Sequence, residues 1–226
     1  LLPAWSVSVE LMPEGYHLLI TQFFLIALIN LLLFSWYGVD EDKVSVIYHA
    51  PNKLDRLVTV TGFPDSEKAS KNYCRDILLR ALLKGANIDY LAGIKNGNIQ
   101  FLFYASQFRP NKNILTLLRA YEYLLRNRYL SLKLILTGNP RHMPEIIDFI
   151  ARHRLEEEVI CLPKLSVDEL AACYKLAALV VNPSLSEGGC PFTFTEALSV
   201  GTPVVMSKIP VSEEVLTDPV LQELTF

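Results

Sequence analysis

From residue 43 onward the chain switches, at short and regular intervals, between two kinds of apolar segment. This alternation limits the fold more than any other feature. Runs rich in β-branched and aromatic residues recur as KVSVIYH (43–49), IQFLFYA (99–105), LKLILTG (132–138), EVICLP (158–163), ALVVNP (178–183) and PVVMS (203–207). Most are apolar almost throughout, as strands are when helices cover both faces of a parallel sheet. Helical patterns lie between them: KNILTLLRAYEYLL (112–125) is apolar over more than half its circumference, and another helix is predicted around Asn72–Lys84. Boundary signals agree. Ser166 as N-cap with Glu169 three residues later forms a capping box, Pro191 suits the first turn of a helix containing Glu196, and Gly201 suits that helix's exit. A βαβα order joined by right-handed crossovers predicts the α/β class, with a doubly wound, Rossmann-like parallel sheet.

The first forty residues read differently. HLLITQFFLIALINLLLFSWYG (17–38) has roughly the 20-residue apolar length of a membrane span. Gln22 and Asn30 interrupt it, and no Lys or Arg precedes Lys43, so the positive anchor of a span is missing. Three readings stay open: a strand HLLIT followed by a helix from about Phe23 to Tyr37, a helix lying on a membrane surface, and a true span. Residues 50–98 are turn-rich at PNKLDRL, FPDSEKASKN and GIKNGN. The chain opens on Leu1 without a basic leader, so no signal peptide is predicted, and it reads as a piece of something longer.

Composition narrows the partners. A net charge of −3 leaves no basic excess to neutralise a phosphodiester backbone, which argues against nucleic acid. Cys74, Cys161, Cys173 and Cys190 form no CxxC pair and have no His at ligand spacing, as expected of reduced thiols in a cytoplasmic protein. Neither GxGxxG nor GxxxxGK[ST] occurs, which removes the commonest dehydrogenase and NTPase readings.

Ligands of doubly wound sheets sit where strands end and helices begin. Three such corners carry suggestive residues: YASQFRPNKN with Arg109 and Lys112, LTGNPRH with Gly138, and SEGG before Pro191. Together they describe a diphosphate pocket. Arg109 can fork two phosphate oxygens, Lys112 adds a point charge, and a helix start offers free N–H groups. Gly188 and Gly189 let backbone approach a ligand without a Cβ. Glu196 is suited to accept hydrogen bonds from vicinal hydroxyls, and Glu187 from others. Each residue has a plainer reading as well. Cations near helix starts are usually solvated, acids before glycine turns are usually loop residues, and His49 reads as a strand-end histidine. Coincidence at matching corners of one sheet is what raises the signal.

Three segments bring in a resemblance: YGVDEDKVSVIYHAPN, FLFYASQFRPNKNILTLLRAYEYLL, and LSVDELAACYKLAALVVNPSLSEGGCPFTFTEALSVGTPVVMSKIPVSEEV. Over roughly Tyr37 to Val215 the chain resembles the C-terminal, donor-binding half of the retaining group 1 (family 4-like) glycosyltransferases of the GT-B architecture. Two features depart from that pattern. Eight residues rather than seven separate Glu187 from Glu196, and Ser106-Gln107 replaces the usual Gly-Arg, so that Arg109 would have to supply the arginine's charge.

The resemblance implies hexosyl transfer from a nucleotide sugar, GDP- or UDP-linked, to a glycan or lipid-linked acceptor, with retention and without a metal. Glu187, Lys112 and Arg109 would be catalytic. Glu196, Gly188, Gly189, Cys190, Pro191, Phe192, Gly138, Lys164 and Leu165 would bind donor, with the loop at Leu162–Leu165 walling the base. Residues 1–40 would end an acceptor domain and 41–226 would be the donor domain, truncated at its end. The expected location is cytoplasmic, with peripheral membrane contact through residues 17–38. The alternatives are a non-catalytic nucleotide-sugar-binding subunit and a membrane-anchored scaffold.

Overall fold

In the computed structural model of the chain, the described residues are 9–10, 18–20, 44–46, 52–85, 99–187, 189 and 191–226. Three short strands form one sheet: β1 (Val9–Glu10) runs antiparallel to β2 (Leu18–Ile20), which runs parallel to β3 (Val44–Val46). The strand predicted at HLLIT thus contains β2. The helix predicted from Phe23 to Tyr37 lies outside the described residues. Among the described residues no helix is long and apolar enough to cross a membrane.

The remainder builds the predicted α/β unit. After the short α1 (Asp55–Val58) and the long α2 (Ser66–Gly85), the order is β4 (Phe101–Tyr104), α3 (Ile114–Asn127), β5 (Lys133–Leu136), α4 (Pro144–Arg152) and β6 (Val159–Cys161). Then come α5 (Val167–Leu176), β7 (Leu179–Asn182), α6 (Phe192–Ser199), β8 (Val204–Met206), α7 (Pro210–Val215) and α8 (Pro219–Gln222). The strands lie parallel in the order β6-β5-β4-β7-β8. The chain therefore winds outward from β4 through β5 to β6, then returns to the other side of β4 and winds outward again. That reversal is the doubly wound topology, and it places the switch point between β4 and β7.

The central strands of this sheet are largely apolar because both faces are covered. Phe101, Phe103, Ile135, Val180 and Val204 face one layer, with buried residues of α1, α2, α5 and α6. Leu102, Tyr104, Leu134 and Leu136 alternate to the other face against Ile114, Leu118 and Tyr121 of α3 and Ile146 of α4. Strands β4, β5, β6 and β7 thus each serve two cores, whereas the buried residues of edge strand β8 belong to the first.

Helix boundaries differ from the periodic reading in three places. Residues 112–125 do not begin the helix at Lys112: Pro110–Lys112 make a 3-10 turn and Asn113 sits at φ 54, so α3 starts at Ile114. The helix expected at Asn72–Lys84 extends back to Ser66, because the Asp65 side chain accepts the Lys68 N–H and caps it. Pro191 precedes α6 rather than occupying its first turn. The other signals hold. Ser166 and Glu169 cap α5 reciprocally, and Gly201, at φ 75, closes α6 as Gly201 N–H reaches Leu198 O and Thr202 N–H reaches Ala197 O.

Candidate functional site

The carboxyl ends of β4 and β7 open into the loops Ala105–Asn113 and Pro183–Pro191, and the two loops are stitched together. Leu185 N–H donates to Asn111 O (2.8 Å), Asn111 Nδ2 to Ser186 O (3.1 Å), and Asn113 Nδ2 to Pro183 O (3.1 Å). The left-handed Asn113 makes this possible, because it ends the 3-10 turn and aims its amide across the gap. Below the stitch Tyr104 Oη and Ser184 Oγ share a buried hydrogen bond at 2.8 Å. Asn182 ties the same corner to α6, donating to Thr193 Oγ1 at 2.7 Å while accepting from Ser184 N–H. Burial raises the Tyr104 hydroxyl to about 12, against hydrogen bonds to Ser106 and Ser184, and the Glu187 charge pushes the same way.

Across this floor Lys112 Nζ donates to both oxygens of Glu187, at 2.7 and 2.6 Å. Both side chains are mostly covered, at 19% and 17% exposure, so the pair is less screened than a surface bridge. Arg109, in the same loop, donates to Gln107 Oε1 at 2.7 Å and is exposed. One turn into α6, Glu196 is buried and accepts from Asn52 Nδ2 at 2.7 Å.

The structure therefore brings Lys112, Glu187, Arg109, Pro191, Phe192 and Glu196 to one rim of the sheet, at its switch point. A Cβ at Gly189 would meet nothing within 4 Å, so backbone there borders open space. Gly188 and Cys190 lie outside the described residues. Gly138, at the exit of β5, is needed for packing: the Phe108 ring fills the space its Cβ would take. Lys164, exposed and at φ 61, and Leu165, half-buried against the core, follow edge strand β6, two strands from β4 on the same rim.

Sequence reasoning missed Asn52 and Tyr174. Asn52 ends the run YHAPN, in which His49 drew attention. Tyr174 reads as one more apolar position of α5, and its ring is indeed wholly buried. Only contacts through space distinguish either residue. Among the described residues, no group of three or more His, Cys, Asp or Glu is placed to hold a metal. A cavity of about 370 Å³ opens on the opposite rim, at the amino ends of β4, β7 and β8. Its charges already satisfy one another, as Lys71 and Lys175 meet Glu67 and Arg75 meets Asn72.

The family described as "Glycosyl transferases group 1" matches residues 92–223, more than half of the chain. The O-antigen chain mannosyltransferase RfbU of Salmonella typhimurium is 28% identical over 183 residues, covering 80% of this chain and 40% of that protein. A glycosyltransferase of Rickettsia africae ESF-5 superposes with a TM-score of 0.59 at 16% identity, over 86% of this chain and 46% of that one. HepE of Anabaena, solved in complex with UDP and glucose, gives 0.55 at 19% identity, over 82% and 44%. The chain thus spans two fifths or less of the curated relatives it matches.

Proposed function

The chain belongs to the group 1 glycosyl transferases, and we propose that the crevice between β4 and β7 holds a nucleotide sugar whose hexose is transferred, with retention, to a glycan or lipid-linked acceptor. In this reading residues 41–226 are the donor-binding half of a GT-B enzyme, and residues 1–40 end the acceptor-binding half. The Lys112–Glu187 pair carries the proposal: a cation and an acid meet at the switch point, one loop away from the buried acid Glu196. A UDP and glucose complex in the similarly folded HepE, and an O-antigen mannosyltransferase among the relatives, support the substrate classes.

The reaction breaks the bond between the anomeric carbon and the diphosphate oxygen and forms one to an acceptor hydroxyl oxygen on the same face of the sugar. The acceptor proton leaves with the nucleoside diphosphate, on which negative charge grows as the bond lengthens. In this reading Lys112 and Arg109 stabilise that charge where it develops, and no metal is required. Donor entry exchanges the partners of the ion pair. The diphosphate takes Lys112, and Glu187 is released toward the hydroxyls of the sugar. Glu196 accepts the ribose diol.

Titration calorimetry with UDP and GDP tests the reading. One of them should bind, and Lys112→Met should weaken it by about tenfold or more, the scale of one charge-assisted contact to phosphate. An unchanged affinity in Lys112→Met would remove the diphosphate from this crevice. Proton NMR of the product's anomeric centre tests retention.

A further inference from the structure

Glu196 is 7% exposed, yet among the described residues its carboxylate accepts a single hydrogen bond, from the neutral amide of Asn52. An ionised carboxylate offers about four lone-pair directions, and leaving them empty in a buried place is costly. Asn52 belongs to the segment leading into the first helix of the unit, 144 positions away in sequence. Its bond therefore anchors Glu196 to a part of the chain that neither strand loop contains.

Tyr174, on α5, is an electrostatic neighbour of the same carboxylate. Its ring is fully buried and meets Phe103 edge-on, with centroids 5.0 Å apart, while its carbonyl accepts Thr202 Oγ1 at 2.7 Å. Ring and backbone are both fixed. The Tyr174 hydroxyl is the one buried side-chain polar atom, among the described residues, without a hydrogen-bond partner. Burial first, and then the adjacent negative charge of Glu196, hold its pKa well above the usual phenol range. The hydroxyl keeps its proton and can donate it. An unspent donor beside an under-filled carboxylate is a costly arrangement in a well-packed core, and a ligand that turns the carboxylate can resolve it.

We propose that Asn52 and Tyr174 are positioning residues that hold the Glu196 carboxylate in the orientation in which it accepts both hydroxyls of the donor's ribose. Asn52 fixes one oxygen before the ligand arrives. When the diol seats, the carboxylate turns within reach of Tyr174, which donates to it. A free glutamate would lose rotamer freedom on gripping a diol; the Asn52 bond removes part of that loss beforehand, and the Tyr174 hydroxyl, held in a fixed ring, offsets part of it once the diol has seated. The inference rests on the reading of Glu196 as the ribose ligand, and the two are tested separately.

The measurement is a ratio: the affinity of the purified protein for UDP or GDP over that for the 2′,3′-dideoxy form of the same nucleotide. The wild-type protein should favour the ribose form by roughly ten- to a hundredfold, as hydrogen bonds to a charged group do. Glu196→Gln should abolish most of that preference. A wild-type ratio in Glu196→Gln, no preference in the wild type, or no binding of either nucleotide overturns the ribose reading and this inference with it. Given loss in Glu196→Gln, Tyr174→Phe and Asn52→Ala should each cut the preference by roughly three- to tenfold. Affinity for the dideoxy nucleotide should not move in either variant. In the Tyr174→Phe, Glu196→Gln double variant no further loss should appear, because the two residues act through one carboxylate. If Tyr174 is only a core filler, Tyr174→Phe keeps the wild-type ratio, and the proposal fails for it. Loss confined to one variant overturns the assignment of the other residue. Tyr174→Phe keeps the ring and decides the matter for α5 even where Asn52→Ala does not fold.

Discussion

The ion pair between Lys112 and Glu187 sets two requirements against each other at a single point. Its partial burial makes each charge a strong neighbour for the other, and on the proposed reading a diphosphate competes with Glu187 for Lys112. On that reading the acid would compete with the ligand before it became a contact for the sugar. Glu187→Gln removes the competing charge while keeping the shape. Inorganic pyrophosphate should then bind about five- to twentyfold more tightly, corresponding to roughly 1–2 kcal/mol for a pair between the surface and buried extremes. Calorimetry with pyrophosphate reads the effect, and equal affinity in both proteins would show that the pair does not compete. Nothing in the sequence announces this pairing, because the partners stand 75 positions apart and meet only where two loops are stitched. The residue types and corners were legible from sequence; the mutual neutralisation was not. Gly138 teaches the same lesson in reverse. A glycine at a strand exit reads as room for ligand, and here the room belongs to the Phe108 ring.

Among the elements, α5 shows best how far local signals carry. Its start was legible because both halves of the capping box lie within four residues, and the structure forms both hydrogen bonds. Burial alone would raise the Glu169 carboxyl, but hydrogen bonds from Lys84 and the Ser166 backbone outweigh it and hold the group below its usual range. A lowered folded value contributes stability that is fully present above the unfolded pKa, about 4.3, and is lost as pH falls through the folded value. Ser166→Ala should cost about 1 kcal/mol at neutral pH, as loss of an N-cap does. The wild-type advantage over Glu169→Gln should shrink as acid is added below about pH 4, and urea melts at pH 7 and pH 3 measure both. An advantage unchanged at pH 3 would detach Glu169's charge from the cap. The strands of the five-stranded sheet were legible for a different reason: helices packed against the sheet make them largely apolar. The starts of α2 and α3 were not, because each depends on one residue against the pattern: Asp65, which caps inside a polar turn, and Asn113, whose φ of 54 ends a 3-10 turn.

Considered whole, the molecule carries a net charge of −3 and yet, on the proposed reading, holds an anion of comparable charge. Affinity must then come from local arrangement, from two loop cations and the side chains around them, and not from the field of the protein. The topology explains why those groups converge. Winding outward twice from β4 leaves β4 and β7 adjacent while their following helices part to opposite faces, so both loops meet at one rim of the sheet. A donor lying there would touch the β4 loop, the β7 loop and α6, and through Glu196 would reach Asn52 before α1. It would add links among segments that the protein already stitches together, and binding should appear as resistance of the entire unit to unfolding. At a nucleotide concentration of one hundred times Kd the linkage amounts to about 2.7 kcal/mol. For a chain of this length that corresponds to a rise in melting temperature of roughly 5–10 °C. Scanning calorimetry with increasing UDP or GDP should show one transition moving upward as a whole, with its midpoint rising with the logarithm of ligand concentration. Glu196→Gln should flatten that rise at equal nucleotide. A midpoint indifferent to either nucleotide would mean that the crevice, though formed by the fold, does not hold a nucleoside diphosphate.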